Sequence, residues 1–137
     1  MLSDRIPFFI YGSLRKSFEN HDAYLKGKID KEIPAEIKGT LYEVKDEYYP
    51  CLVKGKGIVI GEVVYPAEGH YNQVLKMLDQ LEDYDCNNPE NSLYIREKVE
   101  VETSGPERVT AWTYYWNNQL PIGVKVESGD WKKHREK

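Results

Sequence analysis

At 137 residues the chain has the length of one domain, able to bury roughly two thirds of the surface its unfolded form would expose. Its net charge of -4, with Lys and Arg scattered among Asp and Glu, offers no basic stripe to neutralise phosphates and points away from nucleic acid. No apolar run nears the roughly 20 residues that span a bilayer, Met1-Leu2-Ser3-Asp4-Arg5 lacks the regions of a signal peptide, and Cys51 and Cys86 suit neither a disulfide framework nor a zinc knuckle, so a cytoplasmic protein without membrane contact is expected.

The apolar run Ile6-Pro7-Phe8-Phe9-Ile10 predicts an opening strand that ends in a turn at Tyr11-Gly12-Ser13-Leu14. Gly12 is expected to take a backbone conformation closed to other residues, which would let a small anionic or carbonyl-bearing ligand approach the N–H groups of Ser13 and Leu14. Most turns after a strand are only turns. Glu19 to Lys26 reads as a short helix with Tyr24 and Leu25 inward and Gly27 ending it. Ala35 to Val44 alternates as a strand, Asp46 to Pro50 is a turn, and Cys51-Leu52-Val53 and Ile58 to Tyr65 read as two strands joined by the hairpin Lys54-Gly55-Lys56-Gly57. No helix follows those glycines, which argues against a nucleotide loop.

Glu68 to about Asp85 predicts a helix, because Tyr71, Val74, Leu75, Leu78 and Leu81 keep the i, i+3, i+4, i+7 spacing. Strands over Leu93 to Thr103 and Arg108 to Trp116 follow, separated by Ser104-Gly105-Pro106. The run Lys132-Lys133-His134-Arg135 reads as a solvated tail. About six strands and two helices without β-α alternation point to an α+β domain around a strongly curved or closed sheet. Strand tyrosines such as Tyr42, Tyr65, Tyr94, Tyr114 and Tyr115 either cap a sheet or line a pocket with a polar tip.

Glu82 stands out. At about 100° per residue it lies only ~20° from Leu75 and ~40° from Leu78, inside the apolar stripe. Asp79 falls at the margin of that stripe and Asp83 outside it, so both are expected to reach water. A carboxylate buried without a partner costs several kcal/mol. Either the helix ends early and Glu82 escapes to solvent, or it is a general base whose pKa is raised by apolar surroundings. His21, His70 and His134 match no metal spacing, and Ser13 lacks the flanking glycines of a nucleophile elbow.

Tyr11-Gly12-Ser13-Leu14-Arg15 after an N-terminal strand, Leu78-Asp79-Gln80-Leu81-Glu82, and Tyr94 with Arg96 and Val99 together resemble the gamma-glutamylcyclotransferase-like family. Gly61-Glu62-Val63, the Ala111 to Tyr114 strand and Ser128-Gly129-Asp130-Trp131 extend the resemblance over most of the chain. It implies a single domain with a small mixed β-barrel and flanking helices, and conversion of a γ-glutamyl amide to 5-oxoproline with release of an amine or amino compound. Neither a metal nor an organic cofactor is expected. By the same resemblance Glu82 matches the catalytic glutamate, and Tyr11, Gly12, Ser13 and Leu14 match the loop that holds substrate through backbone groups. Tyr94 and Tyr114 match aromatic positions near the pocket, while Arg15 is placed to pair with a carboxylate of the substrate or of the protein itself. The chain departs from the family pattern at Asp83, where a glycine is usual, and in a longer loop over residues 85–92. A binding module on the same fold, holding a small ligand without turnover, is the competing reading; a hydrolase using water lacks an activated nucleophile or metal site.

Overall fold

The computed structural model describes residues 5–12, 14–15, 25–44, 50–105, 108–117 and 124–135. Within them β1 (Phe8–Ile10), β2 (Ile29–Glu43), β3 (Pro50–Pro66), β4 (Tyr94–Thr103) and β5 (Arg108–Trp116) close into a barrel in the order β1-β3-β2-β4-β5. The pairings are antiparallel except where β1 meets β5, in parallel, at Phe8 and Trp112. The protein is thus α+β, a small mixed barrel flanked by helices α1 (Tyr71–Leu81) and α2 (Trp131–Arg135).

The period of two along β1 divides the core. Phe9 and Tyr11 join Ile37, Leu41, Leu52, Val59 and Val63 inside the barrel. Phe8 and Ile10 face the other way and pack with Tyr71, Val74 and Leu78 of α1. Val74 and Leu78 are almost wholly buried, and each such side chain stabilises the fold by about 1.5–3 kcal/mol. The stripe of α1 therefore seats the helix across the outside of β1, which carries the helix end toward the turn after Ile10.

Three expectations need correction. The stretch read as two strands and a hairpin is the single strand β3: Val53 opposes Thr40 and Ile58 opposes Lys38, so both flanks pair with the same edge of β2. Only the exposed residues 54–57 bulge out opposite Gly39. Helix α1 is shorter at both ends than its periodicity predicts, because flanking turns take over before residue 71 and after residue 81. The charged run 132–135 is solvated at Lys133 but not at His134, and the segment leading into it is docked on the barrel. Val126 donates its N–H to the Leu41 carbonyl, Trp131 is buried in the barrel core, and His134 hydrogen-bonds Glu43 over 2.8 Å. Gly129 makes this docking possible. It sits at φ 71 and its carbonyl accepts from Ile60 N–H, while a β-carbon there would run into the Ile58 carbonyl.

Of the segment Glu19 to Lys26, residues 19–24 lie outside the described residues; Leu25 is fully buried and Gly27 follows at φ 81. Residues 46–49 of the next expected turn also lie outside. Cys51 is buried and Cys86 exposed, both as free thiols. No described helix is long and apolar enough to cross a membrane.

Candidate active site

Past Ile10 the chain turns so that the Arg15 N–H donates to the Gly12 carbonyl over 3.0 Å. A cavity of about 300 Å³ opens here, and Tyr11, Gly12 and Leu14 line it; Ser13 lies outside the described residues. Gly12 is not in the left-handed region as expected. Glycine is needed there for proximity, since a β-carbon would come within 2.9 Å of Pro50 Cγ. Gly12→Val should therefore push the turn off β3, at an overpacking cost of about 1–3 kcal/mol. Ligand affinity should fall at least about tenfold, and an unchanged affinity by calorimetry would remove the turn from the site.

The end of α1 brings in the carboxylate. Tyr84 N–H donates to the Asp79 carbonyl at 2.8 Å and Asp83 N–H to the Gln80 carbonyl at 3.1 Å. These are the paired bonds of a Schellman closure, which needs one left-handed residue, and Asp83 supplies it at φ 55. Glu82 is consequently the C-cap, at φ -87 and ψ 3, and not a residue of the helix interior. Its side chain still turns into the cavity beside Leu81. Asp83 thus does what a glycine would do with less strain. Asp83→Gly should stabilise the fold by about 1 kcal/mol, because a side chain in this region costs roughly 1–2 kcal/mol. That would raise Tm by about 4 °C; a lower Tm would show that the Asp83 side chain is needed at the cap.

Tyr94 of β4 and Tyr114 of β5 face the same cavity, completed by Phe9, Ile10, Pro50, Leu81 and Leu93. Their hydroxyls are committed to the protein: Tyr94 donates to the Pro50 carbonyl at 2.7 Å and Tyr114 to Asp79 Oδ1 at 2.5 Å. Tyr11 donates to the Tyr114 carbonyl at 2.6 Å, which ties the turn to β5. Among the described residues the lining is therefore largely apolar, with one carboxylate. Burial pushes the Glu82 carboxyl up from its ordinary 4.5 to about 7. Among the described residues no side chain forms an ion pair or hydrogen bond with it. Burial also holds the Tyr11 and Tyr114 hydroxyls well above 10, with Tyr94 and Glu82 adding to Tyr11 and Asp79 to Tyr114. Such a carboxyl can take and return a proton near neutral pH.

Of the residues singled out from the sequence, Tyr11, Gly12, Leu14, Glu82, Tyr94 and Tyr114 meet in this one cavity. Asp79 does not reach water as expected. It is mostly buried against Arg96, whose Nε lies 2.9 Å from Asp79 Oδ1. Arg15 turns away from the cavity and pairs with Glu62 and Asp130, each at 2.8 Å. The longer loop is pinned by Ser92, whose hydroxyl accepts from Asp85 N–H at 2.8 Å, and by the Asn117 amide, which donates to the Pro89 and Ser92 carbonyls. Leu93 is thereby delivered to the cavity wall, a placement that hydrophobic patterning alone does not signal. Among the described residues no three His, Cys, Asp or Glu side chains converge as a metal would require.

The family model described as gamma-glutamyl cyclotransferase, AIG2-like matches residues 8–133. A Methanocaldococcus jannaschii protein provisionally named as a gamma-glutamylcyclotransferase is 33% identical over 129 residues, 93% of this chain and 96% of its own length. A Niallia circulans protein named gamma-L-glutamyl-butirosin B gamma-glutamyl cyclotransferase is 31% identical, over 93% of this chain and 76% of that one. Among solved structures, Bacillus subtilis YkqA matches with a TM-score of 0.67 at 27% identity, covering 95% of this chain and 40% of that longer one. With the family match running from β1 into α2, the chain belongs to the gamma-glutamyl cyclotransferase, AIG2-like family.

Proposed function

We propose that the protein converts a γ-glutamyl amine or γ-glutamyl amino compound to 5-oxoproline and the free amine, with Glu82 as general acid and base. The observation that carries this reading is the Glu82 carboxylate, the one carboxylate among the described lining residues, facing an apolar cavity beside the turn after Ile10, where burial pushes its pKa up to about 7. Family membership supports the reaction type.

The chemistry needs little else. Glu82 takes a proton from the substrate's α-ammonium, and the freed amine attacks the γ-carbonyl to close a five-membered ring. As the amide C–N bond breaks, Glu82 returns that proton to the leaving nitrogen. A second α-nitrogen proton follows the same direction, so the lactam keeps one and the amine leaves protonated, with Glu82 as it began. Nucleophile and electrophile belong to one molecule, so folding the substrate into a near-attack shape supplies much of the rate. Backbone N–H groups of the turn supply donors for the α-carboxylate or for the developing oxyanion. Tyr11, Tyr94 and Tyr114 act as walls, since their hydroxyls are already committed.

The test is 5-oxoproline release from a panel of γ-glutamyl compounds bearing alkylamines, a polyamine, an aminoglycoside and amino acids, for wild type and Glu82→Gln. Release by wild type alone supports the reading and ranks the leaving groups. Binding without release by the wild type would replace it with a small-ligand binding module.

A further inference from the structure

Beside the cavity lies a polar cluster to which the reaction above assigns no task. Tyr114 donates to Asp79 Oδ1 at 2.5 Å, a length typical of a charge-assisted O–H to carboxylate bond. Arg96 donates to the same carboxylate through Nε at 2.9 Å and Nη2 at 3.4 Å. The pair is largely shielded, with Arg96 and Asp79 side chains 12% and 19% exposed, and the guanidinium lies 4.4 Å from the Trp112 ring centroid. An ion pair serving solubility would sit in water. This one spans α1, β4 and β5 at the cavity's edge.

We propose that Asp79 is a positioning residue of the site, holding both the Tyr114 wall and the helix end from which Glu82 projects. The proposal rests on the cyclotransferase reading. Two connections support it. Asp79 lies three residues before Glu82 in the last turn of α1, and its carboxylate ties that turn to Arg96 of β4 and Tyr114 of β5. Its carboxylate holds Tyr114, whose own carbonyl receives the Tyr11 hydroxyl at 2.6 Å. The Tyr114 wall and the last turn of α1 are thereby referred to one side chain. Without Asp79 the buried Tyr114 hydroxyl needs a new acceptor, and Glu82 is the carboxylate among the described lining residues. The other titratable groups facing Glu82 among the described residues are Tyr11 and Tyr94, whose hydroxyls keep their partners, while Arg96 of β4 loses its carboxylate equally in Asp79→Ala and in the double variant, so the difference between those two reads the Tyr114 hydroxyl.

The experiment compares kcat, KM and the pH profile of Asp79→Ala, Tyr114→Phe and the double variant, per folded protein. Asp79→Ala should lower kcat by about ten- to a hundredfold, as a misplacement of about 1 Å does, with KM changed by less than about threefold. The midpoint of its kcat/KM profile should move to lower pH, because a hydrogen bond to the ionised form favours ionisation. In the double variant, which has no hydroxyl to offer Glu82, the midpoint should return toward the wild-type value. If Asp79→Ala does not fold, Asp79→Leu, which fills the space but offers the Tyr114 hydroxyl no acceptor, takes its place with the same readouts. Reduced stability with kcat, KM and the pH midpoint unchanged would overturn the proposal and leave the cyclotransferase reading standing. Absence of 5-oxoproline from the wild type would overturn both.

Discussion

Glu82→Gln is expected to lower turnover by roughly two to four orders of magnitude, the range that general acid–base catalysis supplies, while ligand binding stays nearly intact. The wild-type kcat/KM should rise with pH through about 7 as the carboxyl ionises, and the variant should lose that rise. The same substitution has a second consequence for stability. The folded protein holds the Glu82 proton more tightly than the unfolded chain does, so the group's contribution to folding is greatest below pH ~4.5 and is lost as pH rises to about 7. At ~1.4 kcal/mol per pH unit, the rise from 4.5 to about 7 means that ionising Glu82 in the fold costs up to about 3.5 kcal/mol, less whatever water in the cavity recovers. Glutamine carries no such cost. The variant should therefore match the wild type in Tm near pH 4 and exceed it near pH 8. A fully active Gln variant would end the proposed mechanism, and an equal loss of Tm at both pH values would show that Glu82 is held by contacts the cavity does not reveal.

The second large effect is expected at Arg15, which is 5% exposed. Its Nε lies 3.1 and 3.0 Å from the two Glu62 carboxylate oxygens, and Nη1 lies 2.8 Å from Asp130 Oδ1. Burial lowers the guanidinium pKa, but the hydrogen bonds and charges of Glu62 and Asp130 outweigh it and hold it above its ordinary range. Arg15→Leu would leave two shielded carboxylates facing each other. Breaking a buried pair from one side costs about 3–5 kcal/mol, a large share of the roughly 5–15 kcal/mol that separates folded from unfolded domains. Urea denaturation should show that loss. Arg15→Lys should recover only part of it, since an ammonium cannot reproduce the guanidinium fork. A cost below about 1 kcal/mol would place the cluster among ordinary surface pairs. Asp130 adds an acid limit. Burial would raise its carboxyl, but the Lys133 N–H and Arg15 bring it below the usual range, so this part of the stability is present above the unfolded pKa and fades as pH falls.

The helix stripe shows how far local pattern reaches. Tyr71, Val74 and Leu78 were predicted to face inward and are buried, because a period of 3.6 fixes which side of a helix is apolar whatever it packs against. The same rule placed Glu82 inward, yet by a different route. The helix stops at Leu81, and the left-handed Asp83 turns the chain so that the cap residue faces the cavity. Asp79 was misread for a related reason. A margin of a stripe faces water only if nothing covers it, and here β4 and β5 bring Arg96 and Tyr114 against it.

From the residue order alone came the apolar strands, the Tyr11 to Leu14 turn, the α1 stripe, the one acid within it, and a resemblance that brought those pieces into one site. Each of these except the resemblance depends on neighbours a few positions apart, where propensity and periodicity act. Tertiary structure decided which strands merge and which charges find partners. Those outcomes depend on contacts between residues 17 apart at Asp79 and Arg96, 35 at Asp79 and Tyr114, and 115 at Arg15 and Asp130. Barrel closure, with β1 beside β5, brings such distant residues together, and it leaves the Glu82 carboxylate facing the cavity.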